Sequence, residues 1–331
     1  MAGWRNFSIG AALICALFVI AAHALDNEYF FFAGFFVLQF VVLATAWNLL
    51  GGLAGYVNFG SGAFVAAGAY TTVALLKTAA LPIAVPILCA MLVAALLGAT
   101  VGLMTLRLRG IFFSIATVAV AVILETVVMN WEPVGGARGT TLLQPVVPFG
   151  LTSYNRFLFV LMGVLAVATV ALARHIERSW MGRGLRALRD SEEAAESLGV
   201  PTMRLKVMAA ALSGALMGMA GALLPLAVSF IEPASAFSLN YAVSALAMPI
   251  IGGTASWLGP VIGAVLLGSV QQLVTVTISS ELNVLVVGVL LVLFVVAAPQ
   301  GILGLFRRRR RSSPGGARAA GQDASPEDAR P

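Results

Sequence analysis

The sequence predicts an all-α polytopic membrane protein with about ten transmembrane helices, some of them discontinuous. Three observations predict it. Hydrophobic residues make up 60% of the 331 and charged residues only 10%, where a soluble domain has about 45–50% and 25%. Apolar runs close to the roughly 20 residues that a bilayer core requires recur along most of the chain. The 20 Lys and Arg residues gather in short segments between those runs, the pattern of a chain oriented by its positive loops. Too few charges remain to wet one water-soluble core, which excludes a soluble enzyme, a disordered scaffold and a secreted disulfide framework. Cys15 and Cys89 lie inside apolar runs and read as small core hydrophobes. His23 and His175 are far apart and offer a metal no ligand set.

Taken in order, the spans fall at 8–25, 29–50, 60–77, 82–105, 110–130, 156–174, 207–229, 238–252, 259–278 and 283–300. Basic residues cluster at Arg107 and Arg109, between Arg174 and Lys206, and from Arg307 to Arg311 with Arg318 and Arg330. The positive-inside rule puts these segments in the cytosol. With both termini inside, the external loops are those at Asp26 and Glu28, at 77–81, 131–155, 231–238 and 280–282. Lys77, Arg138 and Arg156 are then outside and the other seventeen basic residues inside. Arg5 precedes the first run and Ala22-His23-Ala24 resembles a cleavage site, but the parity needs that run retained as a span. The expected organisation is a transmembrane domain over 1–306 and a disordered cytoplasmic tail over 307–331. The tail is rich in Arg, Pro, Gly and Ala without apolar periodicity. Its arginine run suits anionic lipid at a membrane exit better than nucleic acid.

Two stretches break the helical pattern. Between the second and third spans, residues 51–62 hold five glycines and no charge. Irregular backbone at membrane depth survives where protein or a water-lined cavity satisfies its amides. Asn48, Gly51, Gly52, Asn58, Gly60 and Ser61 are therefore candidates for lining a solute pathway, the other reading being that the glycines serve close helix packing. The second break, Gly252-Gly253-Thr254-Ala255, repeats the Gly-Gly-x-Ala spacing of Gly51 to Ala54, which adds Gly252 and Gly253 to the candidates. Glu125 is the one carboxylate placed within a span. It reads as a gate residue or as a structural group reaching the outer headgroup zone near Trp131.

The cytoplasmic segment 181–206 fits an amphipathic helix or helix pair stopped by Gly199 and Pro201. Arg186 and Asp190, and Arg189 and Glu193, are spaced for i,i+4 pairs. Leu185, Leu188, Ala195 and Leu198 form an apolar edge expected to be free for a partner. Within it, Glu193-Ala194-Ala195 followed by Gly199 has the Glu-Ala-Ala-x-x-x-Gly form of the coupling loop in permeases of ATP-binding-cassette (ABC) importers.

Other stretches agree in order: Ala46-Trp47-Asn48-Leu49-Leu50-Gly51-Gly52, Asn58-Phe59-Gly60, Gly68-Ala69-Tyr70, 106–113, Gly135-Gly136 with Gly139, 184–190, and Gly252-Gly253 with Gly259-Pro260. Over residues 40–305 the chain resembles the branched-chain amino-acid permease family of ABC importers, in its M-type (LivM-like) branch. The resemblance implies a permease of the bacterial cytoplasmic membrane. It would work beside a homologous H-type permease, two ATPase subunits that bind the ATP, and an extracytoplasmic solute-binding protein. Arg186, Arg189, Asp190, Glu193, Ala194, Ala195 and Gly199 would then belong to the ATPase-coupling loop. Ser61 stands where the family often has His, and Val122 and Glu125 where it often has Glu and Arg. These departures leave urea, amides and aromatic acids beside branched-chain amino acids as solutes.

The chain shows no ATP site of its own, since a P-loop requires lysine after glycine and Lys77 and Lys206 both follow leucine. An ion-coupled secondary transporter also uses broken helices but would carry more buried ionisable groups than Glu125. A membrane-embedded enzyme lacks any cluster of nucleophile, base or metal ligands, and no cofactor is expected.

Overall fold

Every expected span is met by a helix. The computed structural model describes residues 2–79, 81–105, 108, 110–142, 153–277, 282–297 and 301–304. In chain order the helices are α1 (Ala2–Ala24), α2 (Glu28–Leu50), α3 (Ser61–Thr78), α4 (Ala84–Thr105), α5 (Ile111–Met129), α6 (Tyr154–Arg178), α7 (Trp180–Asp190), α8 (Glu192–Ser197), α9 (Thr202–Gly221), α10 (Leu224–Val228), α11 (Pro233–Ala236), α12 (Leu239–Gly252), α13 (Leu258–Thr277) and α14 (Leu282–Ala297). Among the described residues, eight stretches are long and apolar enough to cross a membrane. The two expected spans outside that set are α3, diluted by Gly, Ser and Thr, and α14, described over 16 residues. The tail 307–331, Arg107, Arg109 and residues 143–152 lie outside the described residues.

Side-chain caps account for several starts. The Asn27 carboxamide oxygen accepts from Tyr29 N–H at 3.1 Å and so opens α2, and Ser153 opens α6 in the same way. Each cap answers amide groups that a helix leaves unpaired at its first turn. The serines at 179, 191 and 238 cap α7, α8 and α12.

The centre of the bundle is α2 and α9, which run antiparallel. Ser213 Oγ donates to the Ala46 carbonyl at 2.7 Å, and Gln39 Nε2 to that of Ala220 at 3.3 Å. Around them pack α3, α4, α6, α12 and α13. Lipid offers helices no hydrophobic drive to associate, so contact depends on close backbone approach at small residues. A Cβ added at Gly98 would stand 2.5 Å from the Ala210 carbonyl oxygen, and one at Gly214 2.7 Å from that of Ala94, which leaves α4 and α9 in backbone contact. Helices α1, α5 and α14 turn large apolar side chains outward, among them Leu17, Ile20, Ile123 and Leu293. That surface suits acyl chains. Helix α1 lies along α6, with the Phe18 ring edge-on to Phe159 at 5.4 Å between centroids.

The two ends of the bundle differ in charge. At one end, Arg156 pairs with Glu28 at 3.0 Å and Asp26 at 3.4 Å. There a short β1 (Thr140–Thr141) pairs antiparallel with β2 (Phe230–Ile231), bringing together two loops expected outside. Gly135 (φ +105°) and Gly139 (φ +71°) make the turns before β1, in a backbone region that L side chains avoid. At the opposite end lie α7, α8 and both glycine breaks.

Candidate functional site

The first break is a re-entrant segment. Helix α2 ends at Leu50, the chain turns over 51–54, and residues 55–60 run without regular structure before α3 begins. Extended backbone covers about 3.3–3.6 Å per residue, so six residues carry the start of α3 up to about 20 Å from the turn. Tyr56 is still at the level of α8, where its hydroxyl donates to Glu192 Oε2 at 2.7 Å. Phe59 and Gly60 already lie against Thr117, two turns into α5: Thr117 Oγ1 accepts from Phe59 N–H at 3.1 Å.

Side chains satisfy the backbone here. Ser114 Oγ donates to the Val57 carbonyl at 2.9 Å, Trp47 Nε1 donates to that of Asn58 at 2.8 Å, and Asn58 Oδ1 accepts from Gly60 N–H at 2.7 Å. Asn58 thus closes its own turn, an Asx arrangement. Ser61, at the first turn of α3, is fully buried and its hydroxyl has no partner. Asn48 is buried too. Its Nδ2 donates to the Thr254 carbonyl at 3.4 Å, which joins the first break to the second, and its Oδ1 is unpaired.

In the second break, Gly252 ends α12 and Gly253 follows with φ +110°. Close approach demands glycine as well: a Cβ on Gly301 would stand 2.5 Å from Gly253 N.

The segment 181–206 clasps the first break, and Glu177 at the end of α6 holds the second. Arg189 Nη1 donates to the Gly52 carbonyl at 2.9 Å, and Trp257 N–H, just past the second break, donates to Glu177 Oε2 at 2.9 Å. Lys206 pairs with Glu192 and lies over the Tyr56 ring, its Nζ 4.9 Å from the centroid. The helix pair and its stop are as expected: Gly199 takes φ +82°, and its N–H donates to the Glu196 carbonyl at 2.9 Å.

Two expectations for this segment are corrected. The apolar edge is not free, because Leu185, Leu188 and Ala195 are buried against the rest of the chain and only Leu198 projects, 85% exposed. The i,i+4 pairs do not form. Ser191 interrupts the helix, so Arg189 turns to Gly52 while lying 3.9 Å from Asp190, and Arg186 turns back to Glu177, donating to its carbonyl at 2.9 Å. Glu193 and Ala194 are exposed on α8. Glu125, in the outer half of α5, is half-buried and far from this cluster in sequence and along the bundle axis.

A polar cleft of about 330 Å³ escaped the sequence reading. It opens between α2, α12, α13 and α14, and Phe36, Phe40, Ser238, Asn240, Ser244 and Gln271 are among the residues that line it. Gln271 Nε2 donates to Ser244 Oγ at 3.2 Å, while Gln271 Oε1 is buried without a partner. Such an orphaned acceptor costs about 1–3 kcal/mol. The adjacent glutamines within an apolar span were the available signal, since polar groups at membrane depth are rarely incidental.

Comparison with known proteins agrees with this architecture. The family described as branched-chain amino acid transport system, permease component, matches residues 29–295. The chain is 29% identical over 305 residues to the high-affinity branched-chain amino acid transport system permease protein LivM of Escherichia coli, covering 84% of this chain and 71% of that one. It is 23% identical to the high-affinity branched-chain amino acid transport system permease protein BraD of Pseudomonas aeruginosa, over 80% of this chain and 91% of that one. It is also 32% identical to the E. coli permease protein LivH over 141 residues, 43% and 45% of the two chains. No solved structure gives a significant match. With the match spanning every helix from α2 to α14, the chain belongs to the family of branched-chain amino acid transport system permease components.

Proposed function

We propose that the chain is the M-type permease of a bacterial ABC importer that moves branched-chain or related neutral amino acids across the cytoplasmic membrane. The family match over residues 29–295 carries this reading. Likeness to both a LivM and a LivH protein supports a partnership of two related permeases. An extracytoplasmic binding protein would deliver solute to the end bearing β1 and β2. Two ATPase subunits would dock at α7 and α8, with Leu198 and the exposed face of Glu193 and Ala194 as contacts. Both termini and residues 181–206 are assigned to the cytosol.

In this mechanism the ATPases shift the α7–α8 pair between two positions as they close and open, and alternating access follows. Arg189 holds Gly52, Glu192 holds Tyr56, and Glu177 holds Trp257. A displacement of the pair therefore reaches the first break directly and the second through Arg186, which bonds Glu177 on α6. Asn48 and Ser61 are the pathway candidates whose oxygens lack partners and could meet water or solute when the breaks move. Gly51, Gly52, Asn58, Gly60, Gly252 and Gly253 supply the backbone that moves. Glu125 remains the candidate for an outer gate.

The test is reconstitution. With its permease partner, ATPases and loaded binding protein, the chain should accumulate leucine in vesicles only when ATP is present. Uptake by the chain alone, driven by a proton or sodium gradient, abolished by an ionophore and indifferent to ATP, would overturn the reading in favour of a secondary transporter.

A further inference from the structure

The cleft between α2, α12, α13 and α14 has three properties that together specify a ligand. Its lining is mixed: Phe36, Phe40, Val243 and Val287 are apolar, while Ser238, Asn240, Ser244 and Gln271 offer hydrogen-bonding groups. Among the described residues, no carboxylate, lysine or arginine lines it. Its one buried and unsatisfied group is an acceptor, Gln271 Oε1, held in place by the bond from Gln271 Nε2 to Ser244 Oγ. A cleft of this kind takes a solute with an N–H donor at one end and a hydrocarbon body at the other. A net charge left without a counter-ion at membrane depth is excluded.

The cleft, about 330 Å³, has room for a whole amino acid, and urea would leave Phe36 and Phe40 unused.

We infer that this cleft is a transit subsite for a neutral aliphatic amino acid, whose ammonium group donates to Gln271 Oε1, whose carboxylate accepts from the hydroxyl and amide donors of the lining such as Ser238 and Asn240, and whose side chain lies on Phe36 and Phe40. The inference deepens the amino-acid importer reading and rests on it. Gln271 is then a specificity residue of the pathway, and Ser244 the residue that orients it.

The experiment uses the assembled importer with saturating leucine-loaded binding protein and reads leucine uptake and ATP hydrolysis side by side. Gln271→Leu removes the acceptor at nearly constant volume and should lower the maximal uptake rate about tenfold, with ATP hydrolysis and insertion unchanged. Gln271→Glu retains the acceptor, because the Ser244 hydroxyl can reverse its role and donate, and should keep at least half of the uptake. A second measurement replaces Cys15 and Cys89 by serine and introduces Val243→Cys. Leucine should then slow alkylation of that thiol by a water-soluble reagent in at least one nucleotide state. Wild-type uptake by Gln271→Leu, equal loss of uptake and ATP hydrolysis in both Gln271 variants, or a thiol whose reactivity leucine never changes would each overturn the subsite. The last result would leave the cleft as a packing pocket for the partner permease. These failures are separable from failure of the amino-acid reading, which would show as absence of ATP-driven leucine uptake in the unmodified importer.

Discussion

Arg189 on α7 donates to the carbonyl of Gly52, 137 residues earlier in the chain, at 2.9 Å. This bond ties α7 to the backbone on which α2 ends. The Gly52 carbonyl is free to accept it because the helix stops there. The neighbouring Gly55, with φ +80°, lets the arginine stem lie close, since a Cβ at that position would be 2.8 Å from Arg189 Cγ.

If that bond transmits motion, its removal should separate ATP hydrolysis from transport. A hydrogen bond with one charged partner contributes about 1.5–3 kcal/mol, or about ten- to hundredfold in an equilibrium. Arg189→Leu should therefore insert normally and hydrolyse ATP in the assembled importer, yet lower uptake by about tenfold or more. Parallel uptake and ATPase assays on the same vesicles check it. Uptake and hydrolysis that fall together would assign Arg189 to folding alone.

The Lys206–Glu192 pair makes a prediction about stability. Both side chains are largely buried, Tyr56 adds its hydroxyl to the carboxylate, and the three join α9, α8 and the re-entrant segment. Removing one member of a buried pair leaves an uncompensated charge and costs about 3–5 kcal/mol, whereas replacing both with apolar groups is often close to neutral. Lys206→Met and Glu192→Leu should each lower the melting temperature in detergent. The double variant should recover much of the loss. Purely additive losses would show that the two side chains act independently.

Gly199 is a clean site for testing the hairpin, because a Cβ there would meet nothing within 4 Å and only the backbone conformation resists substitution. Its φ of +82° lies where β-branched residues are strained. Gly199→Val should distort the turn that positions Leu198 and uncouple transport while the chain remains inserted. Gly199→Asn should be tolerated, since asparagine enters the left-handed region at small cost. Full uptake by the valine variant would remove the turn from the coupling argument.

The spans were legible in the sequence because each depends on a local property, an apolar run of bilayer length, and their ends on single residues such as Asn27 and Ser153. The helix pair and its glycine stop were legible for the same reason. The use of that pair's surface was not. Leu185 and Leu188 look like an edge awaiting a partner, but α6 and α9, the long helices that flank the pair in the chain, fold against that edge and cover it. The spacing of Arg189 and Glu193 suits a continuous helix, and Ser191 breaks that helix to cap the next one. Asn58 was visible as a polar residue among glycines, yet its own turn absorbs its carboxamide oxygen. Gln271 needed the fold most of all, since its meaning depends on Ser244 beside it and on two phenylalanines from α2.

Orientation makes the last prediction. Arg174, Arg178, Arg183, Arg186, Arg189, Arg204 and Lys206 fall within 33 residues at the end of the bundle that carries α7 and α8. The opposite end, where Arg156 pairs with Asp26 and Glu28, carries only Lys77 and Arg138 besides it among the basic residues expected outside. By the positive-inside rule the first end is cytosolic. Ser197, exposed on the last turn of α8, reports on it: its hydroxyl bonds only to the Glu193 carbonyl one turn back, so Ser197→Cys should leave the hairpin intact. In a background with Cys15 and Cys89 replaced by serine, that thiol should resist a membrane-impermeant reagent added to intact cells and react when inside-out vesicles are treated. A cysteine at Asp26, 99% exposed at the other end, should give the reverse. Labelling of Ser197→Cys from outside intact cells would invert the topology and move the proposed ATPase contact to the wrong side of the membrane.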